Sequence, residues 1–148
     1  MGGDLKLAAR ILHAEAQSLV VVRSGRVLFR SRMSGIEPLL EALDYDVLAG
    51  SAVADKVVGR AAAMVAVTGQ AASVYSWIMG AGAVEVLTAA GILHCADAVV
   101  PVILDREGRL PCPLEAVTQF TVVPEKGVRA LRHLLRDLQQ GAKIMYMH

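Results

Sequence analysis

Three residues of this sequence have side chains that could do chemistry, and they lie in two short segments. Asp55 and Lys56 are neighbours in SAVADKVVGR, and Cys112 directly precedes Pro113. A carboxylate can move protons, and a thiol at the start of a helix opened by Pro113 would have a lowered pKa. The plain alternative for Cys112 is an inert, small apolar side chain. These residues are candidates for a metal-independent enzyme, although their spacing fixes no nucleophile–base pair and therefore no class of reaction.

A second set of residues is typical of anion binding. We interpret residues 51–68 as one helix that Ser51 caps, and Gly80-Ala81-Gly82 as the turn from a strand into another helix. Where two helix N-termini meet at a sheet edge, their unpaired N–H groups attract an anion, and glycine lets the backbone approach it closely. The plain alternative is that the glycines ease a sharp turn and the charged residues are solvated. The candidate ligand-binding residues are Ser51, Asp55, Lys56, Ser76, Gly80 and Gly82.

The hydrophobic pattern that must position these residues predicts a single three-layer α/β/α domain over residues 1–148, with its core over 4–140 and a loose tail at 141–148. An antiparallel hairpin turns at Ser24-Gly25, and later strand–helix–strand units favour parallel pairing, so the sheet should be mixed. Gly59 falls inside the predicted helix 51–68, where a glycine indicates close packing. The predicted helices span 4–17, a short stretch from Pro38, 51–68, 83–91, a short stretch from Pro113, and 124–140; the predicted strands span 18–22, 26–32, 72–79 and 96–104.

Composition and charge exclude several classes of protein. Hydrophobic residues make up 55% of the chain, enough for a substantial core, while 15 basic and 14 acidic residues nearly balance, so we expect no nucleic-acid partner. The apolar runs are too short to cross a bilayer, and the N-terminus does not match a secretory signal. The two cysteines form no disulfide framework. We therefore expect a cytoplasmic protein with no membrane partner.

Three separated segments, VADKVVGRAAA, VPVILDREG and CPLEAV, resemble the uncharacterised bacterial domain-of-unknown-function family 1893. The resemblance covers roughly residues 11–138 and implies a cytidine-deaminase-like fold with no established activity. Zinc deaminases place His-x-Glu or Cys-x-Glu at the start of the helix after the hairpin, and Pro-Cys-x-x-Cys at the start of the next helix. Here those positions are Ala54-Asp55-Lys56 and the segment 79–83, which contain no such ligands. We therefore expect no zinc-dependent deaminase activity, no metal and no cofactor.

Two other groups of metal-binding residue types are present, and neither predicts a metal site. His13-Ala14-Glu15 spells the deaminase triplet but lies before the first strand, and Cys112 lacks a second cysteine three positions later. His94 and Cys95 would point to opposite faces of a strand.

Two functions from different classes remain beside the enzyme already described. The leading hypothesis is a module that binds a small phosphate-bearing or nucleotide-like molecule at the paired helix N-termini. The other is a structural oligomerisation module. In either case the alanine- and valine-rich helices and the few aromatic residues predict at least a homodimer.

Overall fold

The structure, a computed structural model, describes residues 2–105 and 108–146 and has an α/β architecture. Its elements are α1 (Gly3–Ala14), β1 (Leu19–Arg23), β2 (Arg26–Ser31), α2 (Glu37–Asp44), β3 (Ala52–Val58), α3 (Arg60–Thr68), β4 (Ser73–Gly80), α4 (Ala81–Ala89), β5 (Leu93–Val100), α5 (Pro113–Thr118) and α6 (Pro124–Tyr146). Among these helices, none combines the length and hydropathy needed to cross a membrane.

The sheet has five strands in the order β2-β1-β3-β4-β5. β1 pairs antiparallel with both β2 and β3, whereas β3, β4 and β5 run parallel. The predicted mixed sheet with an N-terminal antiparallel hairpin is therefore confirmed. Because β3 and β4 are each followed by a helix, α3 and α4 begin at the same edge of the sheet, and this edge positions the site described below.

The turn of the hairpin follows from its two residues. Ser24 and Gly25 both have positive φ, 52° and 75°, as the commonest two-residue hairpin turn requires. The carboxylate of Asp4, in the first turn of α1, accepts hydrogen bonds of 2.9 Å from the N–H groups of both residues. Asp4 therefore ties α1 to the hairpin; the N-cap of this helix is Gly2.

The prediction of one helix over residues 51–68 is wrong, because residues 52–58 form β3. Val53 packs into the core on one face of the sheet and Ala54 into the core on the other. The apolar residues of β3 continue into those of α3, and such a run does not by itself separate a buried strand from a buried helix. Ser51 is not a helix cap; it is buried, and its Oγ donates to the carbonyl of Val47 at 2.6 Å. Gly59 is the N-cap of α3, not a residue inside a helix.

Other predicted boundaries also differ. β5 spans Leu93–Val100, earlier than the predicted 96–104, because the apolar run continues past the paired segment. α4 begins directly after Gly80, so no separate turn precedes it. α6 continues to Tyr146, so residues 141–146 are helical and not a loose tail, while residues 147–148 lie outside the described part.

Helices cover the two faces of the sheet unequally. On one face α1 packs on β1, β3 and β4 through a small core that includes Leu12, Val20 and Ala54. On the other face α2, α3, α4 and α6 bury the main core. α3 is buried from Arg60 to Ala66 because it lies between the sheet and the neighbouring helices. The small side chains of α3 allow this close approach.

We expect Gly127→Ala to destabilise the protein by about 1–3 kcal/mol, because α6 approaches α3 too closely for a side chain at this position. Gly127 is buried, and an added Cβ would collide with Sδ of the fully buried Met64. Gly141, in the same helix, faces open space, so Gly141→Ala should stabilise by about 0.5–1 kcal/mol. Urea unfolding of the two variants checks this. Equal stabilisation by both would contradict the close packing of α3 and α6.

Candidate functional site

A pocket of about 270 Å³ opens where β3 ends and α3 begins. One wall comes from the loop before α2, and another comes from Ile103 and the residues that lead into α5. Its surface is mainly apolar, with a few acidic, hydroxyl and thiol groups. The lining that matters for chemistry and shape comprises Ser34, Asp55, Ala61, Ala62, Cys112 and Glu115.

The N-terminus of α3 is occupied by a carboxylate of the protein. Oε1 of the buried Glu115 accepts a hydrogen bond of 3.0 Å from the N–H of Arg60, the first residue of α3. The carboxylate satisfies one of the unpaired N–H groups and favours the positive end of the helix dipole. A Cβ at Gly59 would collide with this carboxylate, so a larger residue there would force the Glu115 side chain to shift from the start of α3. An anion expected at this helix N-terminus would meet Glu115 instead of unpaired N–H groups.

The side chain of Arg60 holds the segment after α5 against α3. Arg60 is buried, and its Nε and Nη2 donate to the carbonyls of Thr118 and Thr121 at 2.8 and 2.7 Å. Nη1 lies 3.7 Å from the exposed carboxylate of Glu85. Its guanidinium therefore holds this segment and does not supply a positive charge to the pocket.

Asp55 is the titratable group that the pocket perturbs most. Its side chain is partly buried, and this burial raises the pKa of Asp55 from 3.8 to about 7. Hydrogen bonds from the backbone of Val57 and Lys56 lower the pKa by less. An enclosed carboxyl group with a pKa near neutrality can hold or release a proton at pH 7, which is a property of functional sites.

Lys56 does not join Asp55 in the pocket, because successive strand residues point to opposite faces of the sheet. Its Nζ lies 5.2 Å from the centre of the Trp77 ring, a cation–π contact. Trp77 packs on the core beneath α1, and His13 of α1 contacts the same ring edge-on at 6.0 Å. The predicted positive charge beside the pocket is therefore on the other face of the sheet.

The structure brings only some of the sequence-predicted residues together. Asp55 and Cys112 line the same pocket, and Gly80 lies close behind it, since its Cβ position is 3.4 Å from Ile103 and 3.7 Å from Glu115. Gly82 instead faces the aliphatic stem of Arg60, since its Cβ position is 3.4 Å from Cβ of Arg60.

Ser51 and Ser76 are committed to the backbone. Ser76 is buried, and its Oγ hydrogen-bonds the carbonyls of Lys56 and Ile78 at 3.1 and 2.6 Å. Like Ser51, it does not line the pocket. Sequence reasoning missed Glu115 and Ser34. The signal for Glu115 was an acidic residue just inside the helix that Pro113 opens, but its partner lies 55 residues earlier.

Within residues 2–105 and 108–146, no three His, Cys, Asp or Glu side chains are placed to share one metal ion. Nδ1 of His94 lies 2.9 Å from the carbonyl of Ile92, and Cys95 is exposed on β5. Because α3 starts at Arg60 and α4 at Ala81, the helix openings to compare with zinc deaminases are Gly59-Arg60-Ala61 and Gly80-Ala81-Gly82. These residue types do not ligate zinc.

Comparison with known proteins gives one family and a similar structure. The family model described as a domain of unknown function, DUF1893, matches residues 7–135. The crystal structure of a DUF1893 family protein from Thermotoga maritima is similar, with a TM-score of 0.82 and 28% sequence identity over 90% of this chain and 91% of that chain. No curated protein matches the chain.

Proposed function

We propose, from the premise that this chain belongs to the DUF1893 family, that it is a small-molecule-binding module whose ligand sits in the pocket between β3 and α5. The single observation that supports this most strongly is a mainly apolar cavity of about 270 Å³ with a few converging polar groups. Ligand sites are typically concave, apolar and provided with a small number of orienting polar side chains.

We also propose a cytidine-deaminase-like fold. The N-terminal antiparallel hairpin, the parallel strands that follow it, and the helix openings after β3 and β4 are the features that the resemblance implied. That the protein is not a zinc-dependent deaminase stays a prediction, which the residues at both helix openings support.

The shape and charge of the pocket bear on the identity of the ligand. We keep the prediction of a nucleotide-like molecule, because such a molecule has a flat, partly apolar body. The alanine-lined wall of α3 favours a body of this shape. A phosphate group of such a ligand would have to point away from Asp55 and Glu115, because like charges repel at short range. We therefore expect such a phosphate to lie outside the α3 opening where we first predicted it.

An enzyme that uses Asp55 or Cys112 without a metal is the second candidate function. It is favoured by one observation: a carboxyl group with a pKa near 7 and a thiol line the same pocket. Such a carboxyl group can act as a general base or acid at neutral pH. Lys56 takes no part in this proposal, because its ammonium lies on the other face of the sheet.

A structural oligomerisation role is a third candidate. β5 is the last strand in the sheet order, and Leu93 on it is 75% exposed. Unpaired strand edges with apolar side chains favour association. That the chain is at least a homodimer stays a prediction, and light scattering that gives a monomer near 15.7 kDa at micromolar concentration would contradict it.

We expect Ser34→Trp to abolish ligand-induced stabilisation, because Ser34 is exposed at the pocket and an indole there would fill its mouth. The measurement is thermal unfolding with a chemically diverse library of metabolites, including nucleotides, bases and amines. A ligand at about 100 times its dissociation constant should stabilise the wild type by about 2.7 kcal/mol.

The matched control is Met33→Trp, since Met33 is 69% exposed beside Ser34 but does not line the pocket. This variant should keep the ligand-induced shift. A library without any stabilising compound, or a shift that survives in Ser34→Trp, would argue against ligand binding in this pocket.

A further inference from the structure

Among the described residues, the side chains that bring charge to the pocket are acidic. Asp55 and Glu115 line it, and the carboxylate of Glu37 lies 2.7 Å from the Cβ position of Gly35, which is part of the lining. Asp55 and Glu115 come from β3 and α5, and Glu37 of α2 lies beside the lining, so separate elements bring acidic groups to the cavity and its border.

No basic group balances them inside the cavity within the described residues. Lys56 is among the lining residues, but its ammonium lies over the Trp77 ring, 5.2 Å from the ring centre, on the other face of the sheet. The guanidinium of Arg60 is engaged by the carbonyls of Thr118 and Thr121.

Two of the acidic groups are available to a ligand. One oxygen of Glu115 accepts a hydrogen bond from the N–H of Arg60. The other oxygen has no hydrogen-bond partner within the described chain, and it is not completely buried there. Asp55 makes no hydrogen bond to another side chain there, and its partners are backbone N–H groups of its own strand. A carboxylate has about four acceptor positions, so both groups can accept further hydrogen bonds.

We propose, resting on the proposed function, that the pocket selects a small organic cation or amidine-like group with N–H donors on a flat apolar body, held between Asp55 and Glu115. Charge-assisted N–H to carboxylate hydrogen bonds are the strong ones, and two donors on a planar group match carboxylate geometry. The apolar wall of Ala61 and Ala62 takes the flat body. Ionisation of Asp55 on binding supplies the counter-charge, since a neighbouring cation lowers the pKa of a carboxyl group.

The test compares three compounds of nearly the same shape: benzamidine, the neutral benzamide and the anionic benzoate. Binding to the full-length protein is measured by isothermal titration calorimetry at pH 8, where Asp55 is mostly ionised. We expect benzamidine to bind about tenfold or more tightly than benzamide, and benzoate to bind more weakly than either. Asp55→Asn should remove most of the preference for benzamidine, whereas Asp46→Asn, an exposed carboxylate outside the pocket, should keep it.

Benzamidine that binds no better than benzamide, including no binding by either, overturns the proposal, as does a preference that Asp55→Asn leaves intact. The outcome is separable from that of the proposed function. If benzamidine binds no better than benzamide while a neutral or anionic library compound stabilises the wild type and not Ser34→Trp, ligand binding stands and only the cation preference is overturned.

Discussion

Asp55→Asn is expected to make the protein more stable than the wild type at pH 8 by about 2–4 kcal/mol. The pKa of Asp55 is about 7 in the folded protein and 3.8 as the ordinary value, so the folded state holds the proton more tightly than the unfolded chain. The stability from this protonation is fully present below about pH 3.8 and is lost as the pH rises through about 7. Above that pH the wild type carries an enclosed charge that asparagine removes. Because Asp55 is only partly buried, solvent screens its charge, and the gain in stability stays below the full effect of the pKa difference.

The difference between Asp55→Asn and wild type should shrink to below about 1 kcal/mol at pH 4, where the wild-type carboxyl group is protonated when folded. Urea unfolding of both proteins at pH 4, 6 and 8 measures this. Asp46→Asn, on the surface, serves as the control and should show no such pH dependence. An Asp55→Asn variant that is less stable than the wild type at pH 8 would mean that the carboxylate has a stabilising partner and that its pKa is not raised.

Arg60→Met is expected to destabilise the protein by about 3–5 kcal/mol. The two hydrogen bonds to the carbonyls of Thr118 and Thr121 are charge-assisted, and each is worth about 1.5–3 kcal/mol. Methionine keeps the aliphatic stem that packs on Gly82, so the measured loss of stability reports the contribution of the guanidinium alone. The exposed pair with Glu85 contributes little.

The control for this variant is Arg132→Met. Arg132 pairs with Asp44 at 2.8 Å on the surface, and loss of such a pair should cost less than about 1 kcal/mol. Urea unfolding at pH 7 compares the two variants. Because Arg60 holds the segment after α5, amide hydrogen exchange should also rise at residues 113–121 in Arg60→Met. Similar losses in both variants, without faster exchange there, would contradict the role assigned to Arg60.

Much of the fold could be predicted from the sequence, because the turn of the hairpin and the spacing of apolar residues in the helices involve residues close together in the chain. Ser24-Gly25 between two β-branched runs fixes the hairpin, and the leucines of α6 recur at helical spacing from Val128 onward. Both signals depend on residues close in sequence. The α/β class and the mixed sheet follow from them.

β3 could not be recognised in this way, because the valines of Ala52–Val58 lead, after Gly59, directly into the apolar residues of α3. Val53 and Val57 fit helical spacing four apart and also fit a strand, and only the packing of Ala54 under α1 separates the two. This one wrong prediction assigned Asp55 and Lys56 to a helix, whereas they lie on a strand. Their side chains consequently point to opposite faces of the sheet, where the helix prediction had placed both at one site.

The acidic character of the pocket also required the structure. Glu115 reaches the start of α3 across 55 residues, and no local pattern reports a contact at that separation. Gly59 was the one residue in the local sequence that indicated a close contact at this position. Its close packing was expected from sequence, and the neighbour is a carboxylate at the helix start.

The measurement that tests ligand binding in the pocket most directly is a set of ¹⁵N–¹H correlation spectra of the protein, recorded with the metabolite library and with benzamidine. We expect a binding compound to shift the amides of Gly35, Val57, Gly59 and Ala62, which line the pocket, and to leave the β5 edge unchanged. The same compound should produce no such shifts in Ser34→Trp. Shifts confined to residues outside the pocket, or no shifts with any compound, would contradict the assignment of this pocket as a ligand site.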